Sequence, residues 1–197
     1  MKTLKKVHSG IFRDGGAGAF SKRRFRDRRK KLMAKEGQIL AITGVPYGPG
    51  GKTTWAYAHC PTYQEPAMMY LTGINQSNVI LLLDPNSKES DEILFVDRRD
   101  RFMEFWEGVR FGVGDEQSLK DVRSVTGIQD VRDIREFKDV LKERLFKQKK
   151  KTMATLWLEG TRGGKPCAIK TDHNYDFKKK LEGWLRSWKA PAIKNIM

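Results

Sequence analysis

Histidine, cysteine and long apolar runs are scarce in this chain, and each scarcity removes a class of function. Only His8, His59 and His173 occur among the 197 residues. None stands in a His-Glu-x-x-His pattern or in a recognisable carboxylate cluster. His59 lies next to Cys60, but adjacent side chains project apart and no second pair is spaced to complete a tetrahedral zinc shell. The histidine therefore reads as an incidental loop residue. Cys60 and Cys167, the two cysteines, are too few for a disulfide framework, which fits a reducing compartment. No apolar stretch approaches the roughly 20 residues that a spanning helix needs. The basic amino terminus also lacks the apolar segment of a signal peptide. The expectation is a cytoplasmic protein with no membrane partner, no metal ligands and no catalytic residues in this chain.

Acidic residues are also in deficit, with 24 Asp and Glu against 39 Lys and Arg and a formal net charge of +15. The imbalance is local: through Glu36 there are 13 basic and 3 acidic residues, or +10 from that segment. The run Lys22-Arg23-Arg24-Phe25-Arg26-Asp27-Arg28-Arg29-Lys30-Lys31 has the composition to neutralise phosphates. The plainer reading is a solvated helix face attached to a mobile arm, and nucleic acid is kept as the less favoured partner. Hydrophobic residues make up 39% of the chain, enough for one substantial core.

Residues 1–19 are rich in Gly, Lys and Arg without sustained apolar periodicity, and read as a flexible basic arm. Helix formers dominate from Ser21 to Glu36, where Phe25 and Leu32 share a face and Gly37 is a natural stop. Gln38 to Thr43 reads as a short strand. Gly44 to Pro61 reads as a long loop, because its glycines and prolines break regular structure. Asn78 to Leu83 is a nearly continuous apolar run, as in a strand covered on both faces. The polar turn Asn86 to Asp91 joins it to Ile93-Leu94-Phe95-Val96 as a pair of adjacent strands. Asp115 to Arg123 reads as helix, and Thr126 to Val131 as a turn and short strand. Asp133 and Glu136 have capping-box spacing, ahead of an apolar face made by Ile134, Phe137, Leu141 and Leu145. Met153 to Leu158 is a further strand. Phe177, Leu181, Trp184, Leu185 and Trp188 recur at helical intervals in a last helix ended by Pro191. This alternation predicts an α/β fold with a mixed β-sheet flanked by helices.

One motif invites a nucleotide-binding reading. The strand at Gln38 to Thr43 leads into Gly44-Val45-Pro46-Tyr47-Gly48-Pro49-Gly50-Gly51-Lys52-Thr53-Thr54. In a P-loop, glycine amides wrap phosphate, Lys reaches the outer phosphates and Thr holds magnesium, and this requires a fixed loop length. Counted back from Gly51, the position of the first glycine holds Pro46, and the nearest glycine before it is Gly44. Pro46 also removes an amide donor. The segment reads as a surface loop.

Several other segments, taken in order, resemble the amino-terminal domain of Xaa-Pro aminopeptidases of the creatinase and prolidase superfamily. The likeness runs from the basic helix around Arg23, Arg24 and Arg28 through the strand Ile39 to Ile42. It continues through Pro61-Thr62-Tyr63-Gln64 and Tyr70-Leu71-Thr72-Gly73-Ile74-Asn75, a Tyr-Leu-Thr-Gly turn leading to the strand pair. It then takes in Arg99-Asp100-Arg101, Trp106, Gly108, Arg110 and Gly112, similar to the family's Trp-x-Gly-x-Arg-x-Gly. Ala190-Pro191-Ala192 resembles the family's connection toward its catalytic domain. Departures occur at Cys60, Tyr63, Ala67 and Met68.

The resemblance implies a domain over residues 20–189 with the family's ribonuclease H-like motif, and the start of a linker at 190–197. It further implies a parent metallopeptidase that releases the first residue from peptides with proline second, using two manganese ions in a carboxy-terminal pita-bread domain. A chain of 197 residues has no room for that domain, so this chain alone is expected to be inactive and to hold no cofactor. Its expected partners are its own catalytic domain, a homo-oligomer and, for the parent, the prolyl peptide. The alternative is a stand-alone pseudo-peptidase binding module whose basic arm meets nucleic acid or protein. Trp106, Arg110 and Tyr70 are the candidates for a substrate pocket or interface. By resemblance Trp106 lies near a neighbouring subunit's active site, where its ring would cover a prolyl ring; a core or interface tryptophan is the equal alternative. Arg110 has a second reading as the partner of Glu104 or Glu107.

Overall fold

The computed structural model describes residues 21–44, 65–107, 110–148, 153–155, 160–162, 165–167, 173–190 and 193–195. The arm at 1–19, the glycine loop from residue 45 onward, Pro61 to Gln64, His8, His59 and Cys60 lie outside them.

Helix α1 spans Lys22–Glu36 and ends at Gly37, whose amide donates to the Met33 carbonyl at 2.9 Å. Strand β1 (Ile39–Thr43) is buried throughout. Helix α2 (Pro66–Thr72) follows, then the antiparallel pair β2 (Ile80–Leu83) and β3 (Glu92–Val96). Helix α3 (Arg101–Glu107), helix α4 (Glu116–Thr126) and strand β4 (Asp130–Asp133) come next. A 3₁₀ turn at Ile134–Glu136 opens into helix α5 (Phe137–Lys147). The carboxy-terminal part holds β5 (Met153–Thr155), a small hairpin of β6 (Gly160–Arg162) and β7 (Lys165–Cys167), helix α6 (His173–Ser187) and β8 (Ile193–Asn195).

The main sheet runs β4-β3-β2-β1-β5-β8 among the described residues. Strands β1, β2 and β3 pair antiparallel, while β4, β5 and β8 join in parallel. The fold is therefore the expected mixed sheet with helices on both faces. Strand residues alternate between two cores because successive side chains point to opposite sides. Leu40, Ile42, Leu81, Leu83, Leu94 and Val96 face one way and pack with Met33, Met68, Leu71 and Val122 from the layer of α1, α2 and α4, and with Phe111 from the segment that precedes α4. Ile39, Ala41, Leu82, Ile93 and Phe95 face the other way, toward Phe137, Leu141, Leu145, Leu181 and Leu185 of α5 and α6. The edge of the Phe137 ring meets Phe95 at 5.3 Å between centroids, a favourable quadrupole geometry. Among the described residues no helix is long and apolar enough to cross a membrane.

Four local expectations need correction. Tyr70, Leu71 and Thr72 form the last turn of helix α2, not an isolated turn. Pro66 at the first helical position presets φ, and Gly73 ends the helix at φ 75°, where a Cβ would be strained. Seven residues are too few to show periodicity. At Asp133 the capping carboxylate accepts from the Arg135 amide at 3.0 Å, two residues on, because the turn it opens is the tighter 3₁₀ form. Helix α4 continues to Thr126, three residues beyond its expected end. Helix α6 stops at Ser187, ahead of Pro191; Lys189 is left-handed at φ 53° and the Ala190 amide closes the end on the Leu185 carbonyl.

The largest departure is inside the basic run. Arg29 is fully buried, so α1 is not merely a solvated face. It lies on the same side as Phe25 and Met33, at positions i, i+4 and i+8. Its guanidinium donates to Glu92 on β3 at 2.8 Å, to the Leu71 carbonyl on α2 at 2.8 Å and to the Thr126 carbonyl on α4 at 3.1 Å. A single side chain thus ties together the helix layer and the sheet, and satisfies carbonyls that two helix ends leave free.

Candidate site around helix α3

The segment from Asp97 to Asp115 leaves the sheet at the end of β3, forms α3 and returns. The Arg99 amide donates to the Val113 carbonyl at 2.9 Å and the Val113 amide to the Asp97 carbonyl at 3.0 Å, so the two ends are held side by side. Their approach explains one motif glycine: a Cβ on Gly112 would sit 2.6 Å from the Arg99 amide nitrogen. No other residue fits without moving backbone.

Charge-assisted bonds frame the same segment. The Arg99 guanidinium clasps Glu104 through Nε at 2.8 Å and a second nitrogen at 2.9 Å, and pairs with Asp115 at 3.0 Å. Such two-pronged contacts fix orientation as well as charge. Asp115 also caps α4, accepting from the Ser118 amide at 2.8 Å. That amide bond, followed by the nearby Arg99 and Arg101, holds the Asp115 carboxyl below the usual carboxylate range. Ser118 completes the frame by accepting from the Gly112 amide at 2.8 Å. Glu104 raises the Arg99 guanidinium further above its ordinary value.

On the other side, the frame is fastened to the approach to β2. Gln76 bonds the Phe111 backbone in both directions at 2.8 Å, as a strand neighbour would. Asn78 donates to Asp97 at 2.6 Å.

Each candidate residue now has a place. The Arg110 guanidinium donates to Ser77 Oγ at 2.8 Å and to its carbonyl at 3.1 Å, while the Arg110 amide donates to Glu104 at 3.2 Å. Tyr70 stands elsewhere, on α2, 56% exposed, with the Arg28 guanidinium 4.0 Å over its ring and donating to its carbonyl at 2.8 Å. Trp106 belongs to α3, but its side chain lies outside the described residues. On the same helix Phe102 and Phe105 are 72% and 80% exposed. Spacing alone had not singled out Arg99, Gln76, Asp115 or Arg29. Only Arg29 carried a readable signal, its place in the Phe25–Met33 stripe. Among the described residues no group of three or more His, Cys, Asp or Glu gathers to hold a metal. These residues do not fit the manganese pair that the resemblance implies for the parent.

Solved structures with the same fold include aminopeptidase PepP of Pseudomonas aeruginosa, 21% identical with a TM-score of 0.63, covering 89% of this chain and 36% of that one. A candidate aminopeptidase P from Bacillus anthracis is 20% identical with a TM-score of 0.66, covering 89% and 38%. A variant of Escherichia coli aminopeptidase P is 19% identical with a TM-score of 0.56, covering 90% and 37%. This chain thus spans little more than a third of the length of those proteins. No curated protein matches it. The family model for the aminopeptidase P amino-terminal domain matches residues 25–154, well over half of the 197 residues, and the chain belongs to that family.

Proposed function

We propose that this chain is the noncatalytic amino-terminal domain of a Xaa-Pro aminopeptidase, a dimanganese hydrolase that removes the first residue from peptides with proline second. Its role is to shape the substrate entrance and to contribute to assembly with the catalytic domain and with further copies. The observation that carries this reading is the family match over residues 25–154 in a chain that spans little more than a third of the length of the solved aminopeptidases. The frame around α3 supports it. Arg99, Glu104, Asp115 and Gly112 hold the two ends of the α3 segment together, and Phe102 and Phe105 supply an exposed apolar surface of the kind that marks contact sites. The metal pair implied for the parent would be held by its catalytic domain, where it would supply Lewis-acid chemistry.

The test is peptide hydrolysis by the pure chain across a manganese titration. The expected result is no release of the amino-terminal residue from an Xaa-Pro peptide above the metal blank, and no saturable manganese binding by calorimetry. Robust manganese-dependent hydrolysis would falsify the proposal.

A further inference from the structure

Helix α1 turns three residues inward and nearly all its remaining charge outward. Phe25, Arg29 and Met33 are buried, and apart from Asp27 and Ala34 every exposed residue of the helix is Lys or Arg. Lys22, Arg23, Arg26, Lys30, Lys31 and Lys35 are among them, spread over about 20 Å of helix at 1.5 Å per residue. Asp27 is the one exposed acid, 4.0 Å from Arg23.

This arrangement works against the helix that carries it. Ser21 occupies the N-cap without a side-chain cap bond, and the first turn contains no acid but three cations, the wrong sign for a helix amino terminus. Lys22 with Arg26, Arg26 with Lys30, and Lys31 with Lys35 place like charges four residues apart, where they repel. The inward contacts of Arg29 with Glu92, Leu71 and Thr126 hold α1 in place despite this. Local rules broken together on one face, with the compensation elsewhere, are the mark of a surface kept for a ligand. A polyanion laid along the face would relieve both the end effect and the repulsion.

We infer that the solvent face of α1 is a docking surface for the phosphate backbone of duplex DNA, held without regard to base sequence. The exposed residues of α1 include no large apolar or aromatic side chain, and the Tyr70 ring of the neighbouring α2 is already stacked under Arg28. It therefore lacks the anchors of a protein interface, the apolar stripe of a membrane-surface helix and the stacking platforms that bind single strands. A rigid helix of cations suits the wide groove and flanking phosphates of B-form DNA, whereas the major groove of duplex RNA is too narrow for it. The surface is independent of the peptidase reading, because nothing in it depends on α3 or on a catalytic domain.

The experiment is fluorescence anisotropy of a labelled mixed-sequence DNA duplex with the full chain across a potassium chloride series. Two triple variants are compared: Arg23→Gln, Arg26→Gln and Lys30→Gln on the face, and Lys88→Gln, Lys142→Gln and Lys180→Gln elsewhere, with equal loss of charge. The face variant is expected to weaken binding by about tenfold or more and to reduce the slope of log K against log salt by about 2 to 3, near one unit per phosphate contact. The control is expected to keep the parent's slope. Equal loss in both variants, no binding at physiological salt, or equally tight binding of duplex RNA or polyglutamate overturns the inference. If the face variant loses its helical circular dichroism, Lys30→Gln with Lys31→Gln takes its place. A slope reduced by about 2 then supports the inference and an unchanged slope overturns it.

Discussion

Replacing Arg29 by Met would leave the Glu92 carboxylate buried without its partner, and breaking one side of such a pair costs about 3–5 kcal/mol. Joint replacement with Glu92→Leu removes the stranded charge but still leaves the Leu71 and Thr126 carbonyls without a donor, a residual loss of about 1–3 kcal/mol. Urea melts of the two single variants and the double are therefore expected to be strongly non-additive, with the double more stable than Arg29→Met alone; additive losses would refute the coupling. Two glycines give a contrast of sign. Gly112→Ala drives a Cβ into the Arg99 backbone and is expected to cost about 1–3 kcal/mol. Gly183→Ala meets nothing within 4 Å and lies inside α6, so it is expected to gain about 0.5–1 kcal/mol. Denaturation midpoints moving in the same direction for both would refute this account. At this scale the sequence was only partly legible. Gly112 stood in a motif but its reason did not, because Arg99 and Gly112 meet only once α3 has folded between them. Arg29 was hidden by its neighbours, since eight of the nine other residues from Lys22 to Lys31 are charged and nearly all of those charges point to water.

Elements fail or hold at their ends, and the junction of β4 with the 3₁₀ turn is the clearest case. Asp133 is buried there, bonded to the Arg135 guanidinium at 2.5 Å and to the Arg135 amide at 3.0 Å, with Arg98 at 3.6 Å. Chiefly through the Arg135 side chain, these contacts hold its carboxyl down to about 2. A folded-state value below the unfolded one means the stabilisation is present above the unfolded value, near 4, and is lost as pH falls through the folded value. Because Arg135 is largely exposed, solvent screening reduces the contribution to about 1 kcal/mol. Asp133→Asn is thus expected to be about 1 kcal/mol less stable than the parent at neutral pH, with the gap narrowing between about pH 4 and pH 2. A gap constant across that window removes the explanation. The long elements were readable beforehand: α1 from its helix formers and the Gly37 stop, the strand pair β2 and β3 from an apolar run and a polar turn, and the apolar face of α5 and the stripe of α6 from periodicity. Helices α2 and α3, seven residues each, were not readable, since fewer than two turns cannot display a period.

For the molecule as a whole, burial on both faces of the sheet was legible in Ile80-Leu81-Leu82-Leu83, but strand order was not. The pairing of β1 with β5 joins residues more than a hundred positions apart, and no local pattern encodes that contact. The two cores depend on this order, because strict alternation sends Leu40 and Ile42 to one helix layer and Ile39 and Ala41 to the other. Arg29 reaches across the first layer to the sheet, and this has a practical consequence for proteolysis. The stretch Lys22 to Lys31 presents a trypsin site at almost every position, yet a protease needs several residues of unfolded chain in its cleft. Cleavage there reports how often α1 lifts away from Glu92, Leu71 and Thr126. Mass spectrometry of brief digests is expected to show intact α1 in the parent and early nicks within it in Arg29→Met; equal rates in both would mean that something other than Arg29 keeps the helix closed. The densest run of cleavage sites in the chain is thus expected to owe its protection to one of its own arginines.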